Sequence, residues 1–252
     1  ISTWSTFTET LTGQMAAQGL KDGAGLRILT QTVTSPTLGH QLEALRAQYP
    51  KAQWHQYESV NRDALRAGAI AAFGEAVNTL YDFSKAKVIL SLDADFTNTG
   101  AASTRHARDF GMGRKVYNGQ KIGNRLYVVE TSPSGTGSIA DHRLALGTAH
   151  IESLAMKVAQ AIGIRWQGPT VSDSYSDHDT WINALVKDLK AHQGASLVVA
   201  GDQQSPDVHA LAHAINQKLG NVGETVHYSA PLEIEPVQFF PLTLRVMLRA
   251  SP

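Results

Sequence analysis

Cysteine is absent from the 252 residues. That excludes disulfides, thiol nucleophiles and the thiolate ligands of the common iron–sulfur clusters. Any electron-transfer role must then use centres outside this segment or a cofactor held without covalent bonds. No apolar run approaches the roughly 20 residues that span a bilayer, so a soluble chain without direct membrane insertion is expected. A surplus of either charge is also missing, since 22 Lys and Arg balance 22 Asp and Glu. With no basic excess to neutralise phosphates, nucleic acid is not an expected partner. Neither GxGxxG nor a P-loop pattern occurs, which removes ordinary dinucleotide and nucleotide sites. No GxSxG elbow supports a hydrolase triad. A leader pattern and an initiator Met are lacking. The chain opens on Ile1-Ser2-Thr3-Trp4, as a mature product or excised fragment does.

What is present is the composition of a globular protein, 42% apolar and 17% charged. The length suits one large α/β domain or two small ones. Helices are expected over 3–17, from Pro36 behind an N-capping Ser35, over 61–73 closed by Gly74, over 103–110, over 151–162 ending at Gly163, over 181–192 and over 206–219. Trp4, Phe7, Leu11 and Met15 recur at helical spacing, and Trp4 and Trp181 are read as anchors that pack their helices on a sheet. Strands are expected at 26–29, 88–92, 126–129 and 197–200. The run Val88-Ile89-Leu90-Ser91-Leu92 is apolar enough to be covered on both faces. Alternating strands and helices predict parallel, doubly wound, Rossmann-like sheets.

One pattern repeats. Thr3-Trp4 and Thr180-Trp181 each open a helix, and Ser35-Pro36 and Ser205-Pro206 each open another after a strand. The repeat is either chance or the mark of one domain built from both ends of the chain. The second reading gives a discontinuous domain, 1–58 plus 172–252, with a second α/β domain, 59–171, inserted in it. The Ser- and Asp-rich stretch 165–180 then reads as an exposed linker.

In open α/β sheets, ligands sit beyond the carboxyl ends of strands. Candidates there are Asp93, Asp95, Glu130, the loop of Ser134 and Thr136, Asp141, and Asp202, Gln203 and Gln204. Acids in such loops can accept from base or sugar donors, while loop amides face phosphates. They are equally common as turn and cap residues. Asp93 and Asp95 alone are a weak divalent-ion pattern. His209 and His213, four apart, have zinc-chelating spacing, but no Glu lies between them and no third ligand is evident, so half-buried or surface histidines are expected.

The order of segments resembles the molybdopterin oxidoreductases that bind a bis-guanine-dinucleotide cofactor. The stretch from Tyr81 to Leu92 is similar to the family's segment before its first dinucleotide-contact loop. Glu130-Thr131-Ser132-Pro133 with Ala140-Asp141-His142-Arg143-Leu144 resembles its DPRxTxTAxxAD region, and Gly220-Asn221-Val222-Gly223 a later helix end. Within the family, Ser35-Pro36-Thr37-Leu38, Gln56 to Arg62, Leu90 to Phe96, Ala107-Arg108-Asp109-Phe110 and Val208 to Ala214 are most similar to the large iron–sulfur subunits of alternative complex III. That resemblance implies a non-catalytic scaffold with no cofactor in this segment and no catalytic or metal-ligating residue. It also implies partners: the iron–sulfur region of the same subunit and the membrane-anchored and haem subunits of a respiratory quinol:acceptor complex. The place implied is the periplasmic face of the cytoplasmic membrane. The family's alternative implication is a molybdopterin guanine dinucleotide held by Asp95, Glu130, Ser134, Thr136 and Asp141, a second one by Asp202, Gln203 and Gln204, and the metal by Ser59. Departures favour the scaffold. The family's Asp-Pro-Arg becomes Glu130-Thr131-Ser132-Pro133, its Asn-Pro becomes Asp93-Ala94-Asp95, and an acid so placed repels a pyrophosphate. The apolar, basic tail 238–252 matches nothing expected of the family.

Overall fold

The computed structural model describes residues 2–115, 123–165 and 178–234. The described residues divide into two compact units, one of 2–61 with 232–234 and one of those within 62–231. These bounds differ from the expected 1–58 plus 172–252 around 59–171. The linker expected over 165–180 and the tail 238–252 fall largely outside the described residues.

In the first unit, α1 (Trp4–Gly19), β1 (Arg27–Thr30), α2 (Pro36–Gln48) and β2 (Gln53–Gln56) follow in order. β1 and β2 pair in parallel, Ile28 opposite Trp54, so α2 is the crossover of a β-α-β unit. Ser35 caps α2 by accepting from the Leu38 amide at 3.4 Å, and Pro36 starts the helix with the fixed φ it favours there. The chain returns to this unit at Ile234, whose amide donates to the Val33 carbonyl at 2.9 Å. Ile234 packs where α2 has Gly39; a Cβ there would stand 2.8 Å from Ile234 Cγ1. α1 buries none of its residues. Trp4 and Phe7 stack edge to face on it, yet Trp4 is 84% exposed, so it is not the anchor expected.

The second unit holds α3 (Asp63–Phe73), β3 (Asn78–Tyr81), β4 (Val88–Leu92), α4 (Ser103–Arg114), β5 (Arg125–Glu130), α5 (Gly135–Ser138), β6 (His142–Ala145), α6 (Thr148–Ile162), α7 (Asp179–Ala191), β7 (Ser196–Ala200), α8 (Pro206–Lys218) and β8 (Val226–Ser229). β6-β5-β4-β7 form a parallel sheet, and β3 and β8 an antiparallel ribbon. Every residue of β4 and β7 is buried. Side chains alternate between faces: Val88, Leu90 and Leu92 join α6, α7 and α8 in one core, while Ile89 joins Phe83, Phe96, Phe110 and Val226 in another. Each such Val, Ile, Leu or Phe gains roughly 1.5–3 kcal/mol over exposure. Trp181 does pack against the first core, meeting Tyr127 edge to face.

Pairing of β7 with β4 corrects the expected division. Segment 178–231 supplies a strand and two helices to the sheet begun at Val88, so it belongs with 62–165 rather than with the N-terminal unit. The Ser-Pro repeat nevertheless marks two equivalent helix starts, since Ser205 accepts from the Val208 amide as Ser35 does from Leu38.

Candidate functional site at the carboxyl edge of the sheet

The loops after β4, β5 and β7 meet at one end of the four-stranded sheet. Asp93 follows β4 in a left-handed conformation, φ 57°. That costs a non-glycine residue on the order of 1 kcal/mol. Its partners hold it there. The Asp93 amide donates to the Val129 carbonyl at 2.7 Å, and Gln203 Nε2 donates to the Asp93 carbonyl at 2.6 Å. Gln204 Nε2 donates to the Asp93 carboxylate at 2.9 Å. Gly201 is required beside them, because a Cβ there would overlap the Asp93 carbonyl.

Asp95 turns to the other neighbouring loop. Its Oδ1 accepts from the Thr136 amide at 2.9 Å, from Thr136 Oγ1 at 2.7 Å and from Asn98 Nδ2 at 3.0 Å. Burial acts to raise the Asp95 carboxyl, but the bonds from Thr136, Asn98 and Thr97 outweigh it and hold the group below the ordinary carboxylate range. Glu130, 2% exposed, accepts from the Ser134 amide and from Ser134 Oγ at 2.6 Å. Arg143, from β6, donates to the other Glu130 oxygen at 2.5 Å. Ser134 in turn caps α5 by accepting from the Gly137 amide at 2.9 Å. Glycine at 137 leaves room for the Glu130 carboxylate.

Asp202, Gln203 and Gln204 follow β7 at this same end, beside the Asp93 and Asp95 loop rather than at a separate second site. Asp202 pairs with Arg62 at 3.4 Å, and Ser205 Oγ donates to Glu152 at 2.6 Å. Asp141 is elsewhere. It precedes β6, which runs parallel to β5 with His142 opposite Tyr127. Asp141 therefore lies at the amino end of the sheet, where it accepts from the Leu126 amide at 2.8 Å and from Arg114 Nη1 at 2.7 Å. Burial acts to raise its carboxyl, and the Arg114 and Leu126 bonds together hold it low. Ser59 is exposed just beyond β2, in the first unit.

Within the second unit the structure thus brings together Asp95, Glu130, Ser134, Thr136, Asp202, Gln203 and Gln204 at one end of the sheet and places Asp141 at the other. Sequence reasoning missed Arg143 as the partner of Glu130, because the polar edge strand that carries it gave no strand signal. The amides of Ser134, Thr136 and Gly137 are among the donors that a pyrophosphate would seek here. Two are bonded to the chain's own carboxylates and the third to Ser134 Oγ. With Asp93 and Asp202 at the same edge, the arrangement does not fit a second, polyanionic guest. Asp93 and Asp95 face different loops, and among the described residues no three His, Cys, Asp or Glu side chains gather as a metal site.

No family model and no curated protein matches the chain. Among solved structures, acetylene hydratase from Pelobacter acetylenicus is similar with a TM-score of 0.56 at 12% identity. The match covers 91% of this chain and 34% of that one. The likeness is one of fold. It carries an α/β architecture and no chemistry, and the chain spans about a third of that enzyme's length. The formyltransferase/hydrolase complex from Methylorubrum extorquens, solved with methylofuran, also matches, at 15% identity, a TM-score of 0.46, and coverage of 81% of this chain and 54% of that one.

Proposed function

We propose that this chain is a non-catalytic, molybdopterin-oxidoreductase-like scaffold from the iron–sulfur subunit of a quinol:acceptor complex of the alternative complex III type. One observation carries the reading. Three of the loop amides that would meet a dinucleotide phosphate, those of Ser134, Thr136 and Gly137, are closed by Glu130, Asp95 and Ser134. The buried Glu130 carboxylate fixed by Arg143 and the half-buried Asp95 carboxylate fixed by Thr136 make the edge of the sheet a structural clasp rather than a pocket. The resemblance of the segments quoted above supports the family side of the reading, and the fold likeness to acetylene hydratase is consistent with it.

In this reading the chain holds no cofactor, and its surfaces serve the iron–sulfur region of the same subunit and the membrane-anchored and haem subunits. Its place is the periplasmic face of the cytoplasmic membrane, with anchoring left to those partners. Among the described residues no helix is long and apolar enough to cross a bilayer. The deciding experiment is molybdenum by elemental mass spectrometry and pterin by fluorescence of the oxidised extract, on purified, folded protein. Both are expected at background. A ratio near one per chain overturns the proposal and makes Glu130 and Thr136 cofactor contacts.

A further inference from the structure

A second polar cluster lies inside the same unit, away from the carboxyl edge. His209 and His213 sit one turn apart on α8 and are 3% and 5% exposed. The Nε2 atom of each is buried with no hydrogen-bond partner. Their other ring nitrogens are held. The Gly201 backbone hydrogen-bonds His209, and His213 Nδ1 lies 3.1 Å from the Tyr228 hydroxyl. With Nε2 unpartnered, the His209 proton shared with Gly201 is the one on Nδ1, which leaves Nε2 a bare lone pair. Metal-binding imidazoles have this arrangement: one nitrogen oriented by a carbonyl or another oxygen, the other free to ligate.

The surroundings make the free atoms costly. α3 packs so closely that a Cβ on Gly68 would overlap His209 Cβ. The Phe73 ring lies 5.0 Å from the His213 ring and 4.8 Å from that of Tyr228. An unpartnered buried nitrogen forfeits its hydration without replacement, and here there are two on one helix face. Residues four apart on a helix stand roughly 5–6 Å apart at Cβ, a spacing that lets both imidazoles reach one ion. Thr79 Oγ1 is a third buried, unpartnered polar atom. Thr79 lies opposite Tyr228 in the β3–β8 register, and opposite residues share a face of the ribbon. It is therefore on the side from which Tyr228 reaches His213.

We propose that His209 and His213 are the two protein ligands of a transition-metal site between α8 and the β3–β8 ribbon, taking a divalent ion that favours imidazole, zinc or copper. Water or a small anion completes the coordination, because among the described residues no third His, Cys, Asp or Glu joins the pair. The Thr79 hydroxyl is the donor or acceptor for that exogenous ligand. The site is independent of the scaffold reading, whose test concerns molybdenum and pterin alone.

The test uses the whole purified chain, stripped with a chelator and titrated with Zn²⁺ alone against a chromophoric competitor. One equivalent is expected to bind and to raise the thermal midpoint. Cu²⁺ loaded in its place is expected to show hyperfine splitting from two nitrogens by electron paramagnetic resonance. His209→Gln and His213→Gln should each abolish the tight equivalent. Tyr228→Phe keeps both ligands but releases His213 Nδ1, and should weaken binding by about 10- to 100-fold. Tight binding that survives either histidine substitution overturns the proposal, as does the lack of any tight equivalent. Should the Gln variants not fold, the Tyr228→Phe comparison decides: affinity unchanged within about threefold overturns it.

Discussion

The side-chain amide of Asn216 bonds the backbone of Val198 on both sides: Val198 N–H donates to Oδ1 at 3.0 Å, and Nδ2 donates to the Val198 carbonyl at 2.8 Å. β7 pairs with β4 along one edge only. α8 thus closes the other edge with a side chain that copies the pattern of a neighbouring strand. Asn221 supports it, donating from Nδ2 to Asn216 Oδ1 at 2.9 Å and accepting from Ser196 Oγ at 3.0 Å. Open strand edges invite pairing with other chains.

Asn216→Ala should therefore do two things. It leaves a buried N–H and a buried carbonyl without partners, each worth about 1–3 kcal/mol. A fall in the urea midpoint is expected, with light scattering at lower denaturant than for the natural protein. An unchanged midpoint would show that the amide contributes nothing.

Gly68→Ala tests the close approach of α3 and α8. The added Cβ would stand 2.7 Å from the Pro206 carbonyl and would overlap His209 Cβ. Helix propensity favours Ala by about 1 kcal/mol, so a gain in stability is the naive expectation. Overpacking typically costs about 1–3 kcal/mol, and a net loss in thermal unfolding is predicted.

Acid should loosen the clasp at the carboxyl edge and the Asp141 contacts at the amino end of the sheet. The Asp95 and Asp141 carboxyls are held low in the folded chain. Their contribution is present above the ordinary carboxylate value and is lost as pH falls through the lowered folded value. Unfolding free energies measured from pH 6 down to pH 3 should decline. Asp95→Asn should flatten that decline, and a slope identical to the natural protein's would refute the assignment.

The buried histidines give a separate pH window. Burial pushes His209 down to about 4, and burial together with its neighbour His209 does the same for His213. These bases are depressed in the folded state, so between about pH 6.5 and 4 the unfolded chain binds more protons. Metal-free protein should lose stability as pH drops through that range, by up to about 1.4 kcal/mol per pH unit for each histidine. His213→Gln should reduce the slope in denaturation series at pH 7, 6 and 5. An equal slope would sink the prediction.

The strands legible in the sequence are those whose environment is simplest. β4 and β7 are buried on both faces, so Val, Ile and Leu run nearly unbroken. β2, β3, β6 and β8 are four residues each, carry polar groups and lie in two-stranded pairs or at a sheet edge. Their positions follow from pairing, which no local pattern announces. That blindness also misplaced Asp141. Without β6, the loop after β5 reads as one excursion at the carboxyl edge. With β6, the chain has crossed to the amino end before Asp141. The acids at the carboxyl edge were visible as residues, but their partners were not. Asp95 bonds Thr136, and Glu130 bonds Arg143, across loops that only the sheet brings together.

Parallel pairing of β4 with β7 has a consequence for synthesis on the ribosome. Val88 must wait for Ser196, more than a hundred positions later in the chain, before the central strand gains its second neighbour. Asn216 comes later still. Through that interval the most hydrophobic strand of the unit stays open along one side. Contacts so distant in sequence form slowly. The nascent chain therefore passes through a long stage in which its newest translated segment decides whether the sheet closes on itself or on another molecule.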